Sequence, residues 1–103
     1  MTVAYVLTKA AEQDIRSILR YTRQQWGEGQ MRAYMSALEQ GIAQLAAGQG
    51  AYRDMGAMRE GLRMARCRHH YIFALGREDG PTLILAILHE KMDLIARLGD
   101  RLG

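Results

Sequence analysis

One apolar run near the carboxyl end constrains the fold more than any other part of this sequence. Leu83 to Leu88 read Leu-Ile-Leu-Ala-Ile-Leu directly after Thr82, without a polar residue among them. A continuous apolar run of this length, bounded by turn residues, is typical of a strand that is buried on both faces. The turn cluster Gly76 to Pro81 stands directly before it. We therefore predict a central strand over Thr82–Leu88.

Two stretches with helical periodicity lie in the first half of the chain. The first follows a short apolar strand predicted over Val3–Leu7, and Thr8 offers a hydroxyl N-cap for it. Each stretch carries an apolar stripe at helical spacing: Ala11, Ile15, Ile18, Leu19 and Thr22 in the first, and Met31, Met35, Leu38, Ile42 and Leu45, with Tyr34 beside them, in the second. Gly27 and Gly29 are expected to interrupt the chain between the two helices, and Gly48 to Gly50 to end the second. So short a link predicts an antiparallel helical hairpin.

The second half of the chain reads as strands. Residues 51–61 show no clear period and predict a loop, whereas Leu62–Cys67 and His70–Leu75 predict two strands, and Met92–Leu102 a short helix. The order β-α-α-β-β-β predicts an α+β fold in which the helical hairpin packs on one face of a small, mainly antiparallel sheet. We expect one domain over residues 1–103.

Several kinds of site lack the residues they need. His69 and His70 are neighbours and would face opposite sides of a strand, so no metal-ligand spacing emerges and no cofactor is expected. The single cysteine, Cys67, is interpreted as a small buried hydrophobe. No phosphate-binding glycine loop and no Ser/His/Asp arrangement is present. No membrane span or signal peptide is evident, so we expect a soluble cytoplasmic protein.

Basic residues cluster in one segment. The net charge is +3, and twelve of the fourteen basic residues are arginine. The segment carries Arg53, Arg59, Arg63, Arg66, Arg68, His69 and His70. It could grip RNA phosphate or an acidic partner, or it could be a solvated strand edge whose charges discourage aggregation. Arg63 and Arg66 are expected to point to opposite faces of the sheet.

A series of short motifs resembles the ParE toxins of the RelE/ParE superfamily. Tyr5 to Thr8, the helix core Ala11-Glu12-Gln13-Asp14-Ile15, and Tyr21 with Trp26-Gly27 resemble the start of these toxins. Gly61-Leu62-Arg63 and His70-Tyr71-Ile72-Phe73 resemble two of their strands, and Ile87 to Asp93 resembles their ending "I-L-H-x-x-M-D". The resemblance covers roughly residues 3 to 98. Ala74 departs from it, because many members carry an aromatic residue there.

The resemblance implies a toxin of a type II toxin–antitoxin pair. ParE-like members poison DNA gyrase and are neutralised by a ParD-like antitoxin, whereas RelE-like members are ribosome-dependent mRNA endonucleases. RNA cleavage needs a group that activates the 2′-hydroxyl and a group that stabilises the transition state. Arg63 and Lys91 could stabilise the transition state, but the sequence has no candidate for the group that activates the 2′-hydroxyl. RelE-like members also use a C-terminal tyrosine, and no tyrosine follows Tyr71 here. We expect a non-enzymatic gyrase toxin, with an RNase or an inert binding domain as alternatives.

Two groups of binding residues follow from this interpretation. The helical hairpin is expected to leave an apolar surface that the sheet does not cover. An antitoxin helix is expected to dock there while arginines of this chain contact acidic residues of the antitoxin. The residues of this chain predicted to bind the antitoxin are Ile15, Leu19, Tyr34, Leu38, Arg63 and Arg66. The target is expected to contact the carboxyl-terminal segment: His89, Lys91, Met92, Asp93 and Arg97. A structural role is the alternative, in which Asp93 caps a helix and His89 hydrogen-bonds a neighbouring strand. We expect a hetero-oligomer with the antitoxin and no sequence-specific DNA binding by this chain alone.

Overall fold

The helices and strands follow the predicted order, with one short strand added. We analysed a computed structural model, which describes residues 5–103; Val3 and Ala4 of the predicted first strand lie outside them. The described elements are β1 (Tyr5–Leu7), α1 (Lys9–Trp26), α2 (Glu28–Ala46), β2 (Arg53–Asp54), β3 (Leu62–Cys67), β4 (His70–Leu75), β5 (Thr82–His89) and α3 (Leu94–Leu102). The α+β prediction is therefore confirmed.

The strands form one mixed sheet in the order β1-β5-β4-β3-β2. β1 pairs with β5 in parallel, from Tyr5 opposite Thr82 to Leu7 opposite Ile84. The other three pairings are antiparallel. β5 thus lies between two strands, and its residues from Ile84 to Leu88 are all buried, which confirms the predicted central strand.

Packed layers cover both faces of this sheet. On one face, Leu38, Ile42 and Leu45 of α2 pack in a cluster with Ile72 and Ile84 of the sheet. On the other, α3 inserts Leu98, which is fully buried, into a second cluster that contains Leu62, Phe73, Leu85 and Leu88. Because each face of β5 meets one of these layers, its sequence is continuously apolar rather than alternating.

The ends of the helices confirm one prediction from the sequence and contradict another. The Thr8 hydroxyl accepts a hydrogen bond from the Ala11 amide at 3.1 Å, which confirms the N-cap. Gly27 has a φ of 88° and separates α1 from α2. The prediction that Gly29 also interrupts the chain is wrong, because Gly29 lies in the first turn of α2. The loop predicted over residues 51–61 contains β2, which pairs with β3 through only two residues.

An ion pair completes the edge of β5 where β1 ends. Beyond Leu7, the Asp14 carboxylate accepts a hydrogen bond from the Ile87 amide at 3.0 Å. Arg101 of α3 donates to the Leu85 carbonyl at 3.0 Å and pairs with Asp14 at 2.8 Å. These side chains satisfy backbone groups that a longer β1 would otherwise have paired. They also fix α1 and α3 to the same strand.

Candidate functional site

The residues predicted to bind the antitoxin do not form one surface. Ile15 and Leu19 are half-buried, but Tyr34 and Leu38 are only 9% and 2% exposed. The prediction that the last two lie on an uncovered apolar surface is wrong. They belong to the core cluster between the helical hairpin and the sheet, so the sheet covers them. Helical periodicity identifies an apolar stripe but does not say which neighbour buries it.

Arg63 and Arg66 lie on opposite faces of β3, as predicted. Arg63 donates to the Leu45 carbonyl in the last turn of α2 at 3.2 Å, where it satisfies a helix-end acceptor. Arg66 is exposed and donates instead to Glu90 at 2.6 Å and to the Tyr71 hydroxyl at 3.2 Å. The basic segment is therefore divided between faces and does not form one continuous basic surface.

A groove opens beside the α1–α2 connection and the β3–β4 turn. It encloses about 640 Å³ and is lined by residues from both helices, this turn and the end of β5. The large side chains that line it are Tyr21, Trp26, Tyr34, His70, His89 and Met92. Three of these are well exposed: Trp26 at 70%, Tyr21 at 62% and Met92 at 46%. The groove thus presents large apolar side chains that the described part of the chain does not cover.

Three aromatic rings in edge-to-face contact form the floor of the groove. The Tyr34 hydroxyl hydrogen-bonds His70 Nδ1, and the His70 ring meets the His89 ring with their centroids 5.1 Å apart. Burial, with the neighbouring His89 and His69, lowers the pKa of His70 to about 4. Burial also raises the pKa of Tyr34. The Tyr34–His70 pair is therefore neutral at neutral pH.

The β3–β4 turn brings positive charge to the rim of the groove. Arg68 adopts a φ of 55°, which is uncommon for a residue other than glycine. Its guanidinium carbon lies 5.4 Å from the centroid of the Tyr34 ring, a cation–π arrangement. None of the groove-lining residues that the structure describes is Asp or Glu. The rim is therefore cationic, whereas the floor is neutral.

A second polar cluster lies beside this rim. Glu90 accepts hydrogen bonds from His69 Nδ1 at 2.8 Å and from Arg66 at 2.6 Å. The hydrogen bond from His69 and the charge of Arg66 lower the pKa of Glu90. Arg66 also stacks near the Tyr71 ring, 5.5 Å from its centroid. This cluster joins an imidazole, a carboxylate, a guanidinium and a phenol at the surface.

Of the residues predicted to bind the target, only His89 and Met92 line the groove. His89 Nδ1 accepts a hydrogen bond from the Lys91 amide at 3.1 Å, so its hydrogen bond is local rather than to a neighbouring strand. The Asp93 carboxylate accepts from the Ala96 amide at 3.2 Å and caps α3, which confirms its structural role. Lys91 and Arg97 are exposed.

The sequence analysis assigns no role to four residues that line the groove or complete the edge of β5. The motifs that contain Tyr21 and Trp26 assign these residues no role, although Trp26 is the only tryptophan of the chain; in the structure both side chains are exposed. Asp14 and Arg101 are 87 positions apart, and no local pattern connects them. Cys67 was interpreted correctly: it is buried, and burial raises the pKa of its thiol.

Two general findings bear on other kinds of site. Among residues 5–103, no helix combines the length and apolar character that a membrane span requires. Over the same residues, no group of three or more His, Cys, Asp and Glu side chains is arranged to hold a metal ion.

Comparisons with known proteins identify the family. A family model described as the ParE toxin of the type II toxin–antitoxin system, parDE, matches residues 5–94. The chain is 59% identical over 99 residues to Toxin ParE of Escherichia coli, a match that covers 96% of each chain. It is 28% identical over 94 residues to Toxin ParE1 of Mycobacterium tuberculosis strain ATCC 25618 / H37Rv, which covers 91% of this chain and 96% of that relative. The chain therefore belongs to the ParE toxin family of type II toxin–antitoxin systems.

Proposed function

We propose that this chain poisons DNA gyrase by binding it and trapping its cleaved-DNA state, and that a ParD-like antitoxin neutralises it. Family membership supplies the toxin role. The observation that favours binding over catalysis is the exposed apolar patch at the groove, formed by Trp26, Tyr21 and Met92. Contiguous exposed apolar side chains mark interaction sites, and Trp and Tyr are enriched among the residues that dominate interface energies.

The target surface that we propose continues from this patch into the segment before α3. Met92 lies on the groove, and the exposed Lys91 adjoins it. In the described part of the chain, the Lys91 ammonium takes part in none of the ion pairs. A free cation beside an exposed apolar side chain suits recognition of a protein surface, since polar groups at an interface rim steer association while apolar groups supply affinity.

The test is a cleavage assay with purified components. The toxin is added to gyrase, supercoiled plasmid and ATP, the protein is then digested, and linear DNA is measured. We expect linear DNA to accumulate with toxin dose and to disappear when the cognate antitoxin is added first. In cells, induction should produce DNA-damage signalling and filamentation. Intact plasmid and chromosomes in a growth-arrested culture would contradict the gyrase proposal.

A second candidate function, mRNA cleavage of the RelE kind, is favoured by the polar cluster of Arg66, His69, Tyr71 and Glu90. The sequence offered no group to activate a 2′-hydroxyl, but His69 is exposed and held by the Glu90 carboxylate at 2.8 Å. Such an imidazole can accept a proton, and Arg66 beside it can stabilise negative charge. If this function operates, His69→Ala should abolish ribosome-dependent mRNA cleavage. Under the gyrase proposal, the same variant should remain toxic and cleave no mRNA above background.

A further inference from the structure

We propose that one side of α1 contacts the phosphate backbone of the DNA that the target holds, through Arg16, Arg20 and Arg23. The inference rests on the proposed function and deepens it, since it concerns the DNA of the trapped gyrase complex. The three arginines are exposed and follow one another at spacings of four and three residues, so they lie on the same side of the helix. None of them lines the groove. We call these three residues the basic stripe.

The basic stripe lies on the side of α1 that faces away from the sheet. Ile18 packs against the core cluster, and Thr22 is buried. Arg16 and Arg20 each precede one of these residues by two positions, which is about 200° around the helix at about 3.6 residues per turn. A partner can therefore reach the arginines without displacing any part of the described chain.

The positive charge of the basic stripe is largely uncompensated. Of the two carboxylates on α1, Asp14 accepts a hydrogen bond from a backbone amide of β5 and is therefore occupied there. Glu12 reaches Arg16 at only 4.0 Å, and both side chains are well exposed, so this pair contributes little. In the part of the chain that the structure describes, Arg20 and Arg23 take part in none of the ion pairs. The stripe therefore presents at least two guanidinium groups to a negatively charged partner.

The side chains around the basic stripe favour a phosphate backbone over a protein surface. Gln13 and Gln24 are exposed beside the arginines, and no large apolar side chain lies among them on this side of α1. A protein interface is centred on apolar and aromatic side chains and is depleted of charge there, whereas protein–DNA interfaces are polar and strongly positive. Guanidinium groups also bind phosphate through paired hydrogen bonds. The occupant that suits this side of α1 is thus a phosphate backbone.

The length of the basic stripe matches several phosphates of one DNA strand. From Arg16 to Arg23 the helix rises about 10 Å, at about 1.5 Å per residue. One strand of duplex DNA carries a phosphate for about every 3.4 Å of the duplex axis, so this length spans about three phosphates. Contacts of this kind do not read the base sequence, in agreement with the expectation that this chain alone binds no specific DNA sequence.

The same helix brings the basic stripe next to the proposed target surface. Tyr21 directly follows Arg20 and lies about 100° around the helix from it. Tyr21 and Trp26 both line the groove and are exposed. A protein that covers these two side chains therefore has the basic stripe at its margin, where DNA bound to that protein can meet the arginines. The arginines should then add affinity only when the target holds DNA.

The test measures toxin binding to gyrase with and without duplex DNA, by fluorescence anisotropy of toxin labelled at its amino terminus. At about 50 mM salt, we expect the unmodified toxin to bind the gyrase–DNA complex about tenfold or more tighter than gyrase alone. Each phosphate contact adds about 0.9 to the slope of log affinity against log salt. Three contacts should therefore make this slope steeper by about 2.7 for the gyrase–DNA complex than for gyrase alone.

Arg20→Gln combined with Arg23→Gln tests the basic stripe, and Arg32→Gln combined with Arg53→Gln is the matched control. Both double variants remove two positive charges from exposed positions, and neither control residue belongs to the stripe or lines the groove. The stripe variant should lose most of the gain from DNA, and its slope with DNA should become shallower by about 1.8, while binding to DNA-free gyrase stays unchanged. The control variant should keep both the gain and the slope. Thermal denaturation checks that both variants are as stable as the unmodified toxin.

The outcomes separate this inference from the function on which it rests. If the unmodified toxin binds gyrase equally tightly with and without DNA, or if both double variants lose the gain alike, the basic stripe does not contact DNA, and the gyrase proposal stands. If the unmodified toxin binds gyrase in neither form, both proposals fail. Loss of binding to DNA-free gyrase in the stripe variant alone would mean that the stripe contacts an acidic protein surface, which overturns the DNA contact.

Discussion

At the scale of single residues, His70 connects stability to pH. Its pKa is lowered from 6.5 to about 4, chiefly by burial and then by His89 and His69. Between these two values the unfolded chain binds a proton that the folded chain does not. The free energy of unfolding should therefore fall as pH falls from about 6.5 to about 4, by about 3 kcal/mol in total. Urea unfolding at a series of pH values measures this decline.

The variant His70→Phe separates this group from the others that titrate in acid. Phenylalanine keeps an aromatic ring against Tyr34 and His89 but has no proton to bind, so the decline between about 6.5 and 4 should largely disappear. The pKa of Glu90 is lowered from its ordinary 4.5, so its effect on stability belongs to a more acidic range. An unchanged pH profile in the variant would show that His70 is not the responsible group.

Gly61 is a position where the backbone excludes any side chain. Its φ is +86°, and a Cβ added there would lie 2.5 Å from the Gly76 carbonyl oxygen. Gly61→Ala should lower the free energy of unfolding by about 1–3 kcal/mol, because the close contact between the start of β3 and the end of β4 has to open. The control is Gly29→Ala in the first turn of α2, where a Cβ meets nothing within 4 Å. That variant should be neutral or slightly stabilising, since alanine favours helix. Thermal denaturation of both variants measures the two changes in stability.

At the scale of elements, the Asp14–Arg101 pair joins α1, α3 and β5. Its side chains are only 16% and 24% exposed, and each also bonds the backbone of β5. A double-mutant cycle with Asp14→Asn and Arg101→Gln should give a coupling free energy of about 1–3 kcal/mol, because each single change leaves a partly buried charge without its partner. The exposed pair Glu28–Arg32, at 3.7 Å, is the matched control and should give less than about 0.5 kcal/mol. Equal couplings would mean that the pair contributes no more than a surface contact.

Comparison of the predicted with the observed elements shows which of them a sequence can predict. The strand β5 was predictable because a continuous apolar run bounded by turn residues is typical of a strand buried on both faces. The helix α1 was predictable because the Thr8 N-cap and the apolar stripe that follows it indicate the same helix. β2 was missed because two residues carry no period, and they pair with β3 only once the intervening turn has formed. The edge of β5 was not predictable either, since the residues that complete it come from α1 and α3 rather than from a strand.

At the scale of the whole molecule, the groove explains why the site was harder to predict than the fold. It forms from α1, α2, the β3–β4 turn and β5, which are far apart in sequence. Leu38 belongs to a stripe that looked free for a partner, yet the sheet already buries it. Trp26 is the last residue of α1 and has no predicted role, yet it stays exposed on the groove. A local pattern records that a residue is apolar, whereas its availability depends on how distant elements pack.

At the scale of the whole molecule, the segment after β5 combines residues with structural contacts, His89 and Asp93, and the exposed residues Lys91 and Arg97. His89→Ala removes the acceptor of the Lys91 amide, and Asp93→Ala removes the cap of α3 and should lower stability by about 1 kcal/mol, so loss of toxicity in either has a structural explanation.

Lys91 is exposed, and its side chain makes none of the described ion pairs or hydrogen bonds, so Lys91→Ala should leave thermal stability unchanged. If the segment contacts the target, Lys91→Ala should reduce growth arrest and gyrase-dependent DNA cleavage while antitoxin binding is retained. Arg97→Ala, on the exposed surface of α3, extends the test to the last residue of the predicted target surface. Full toxicity in all four variants, measured at equal expression, would make the segment structural and leave the target surface either to Tyr21 and Trp26 or to the basic residues between Arg63 and Arg68.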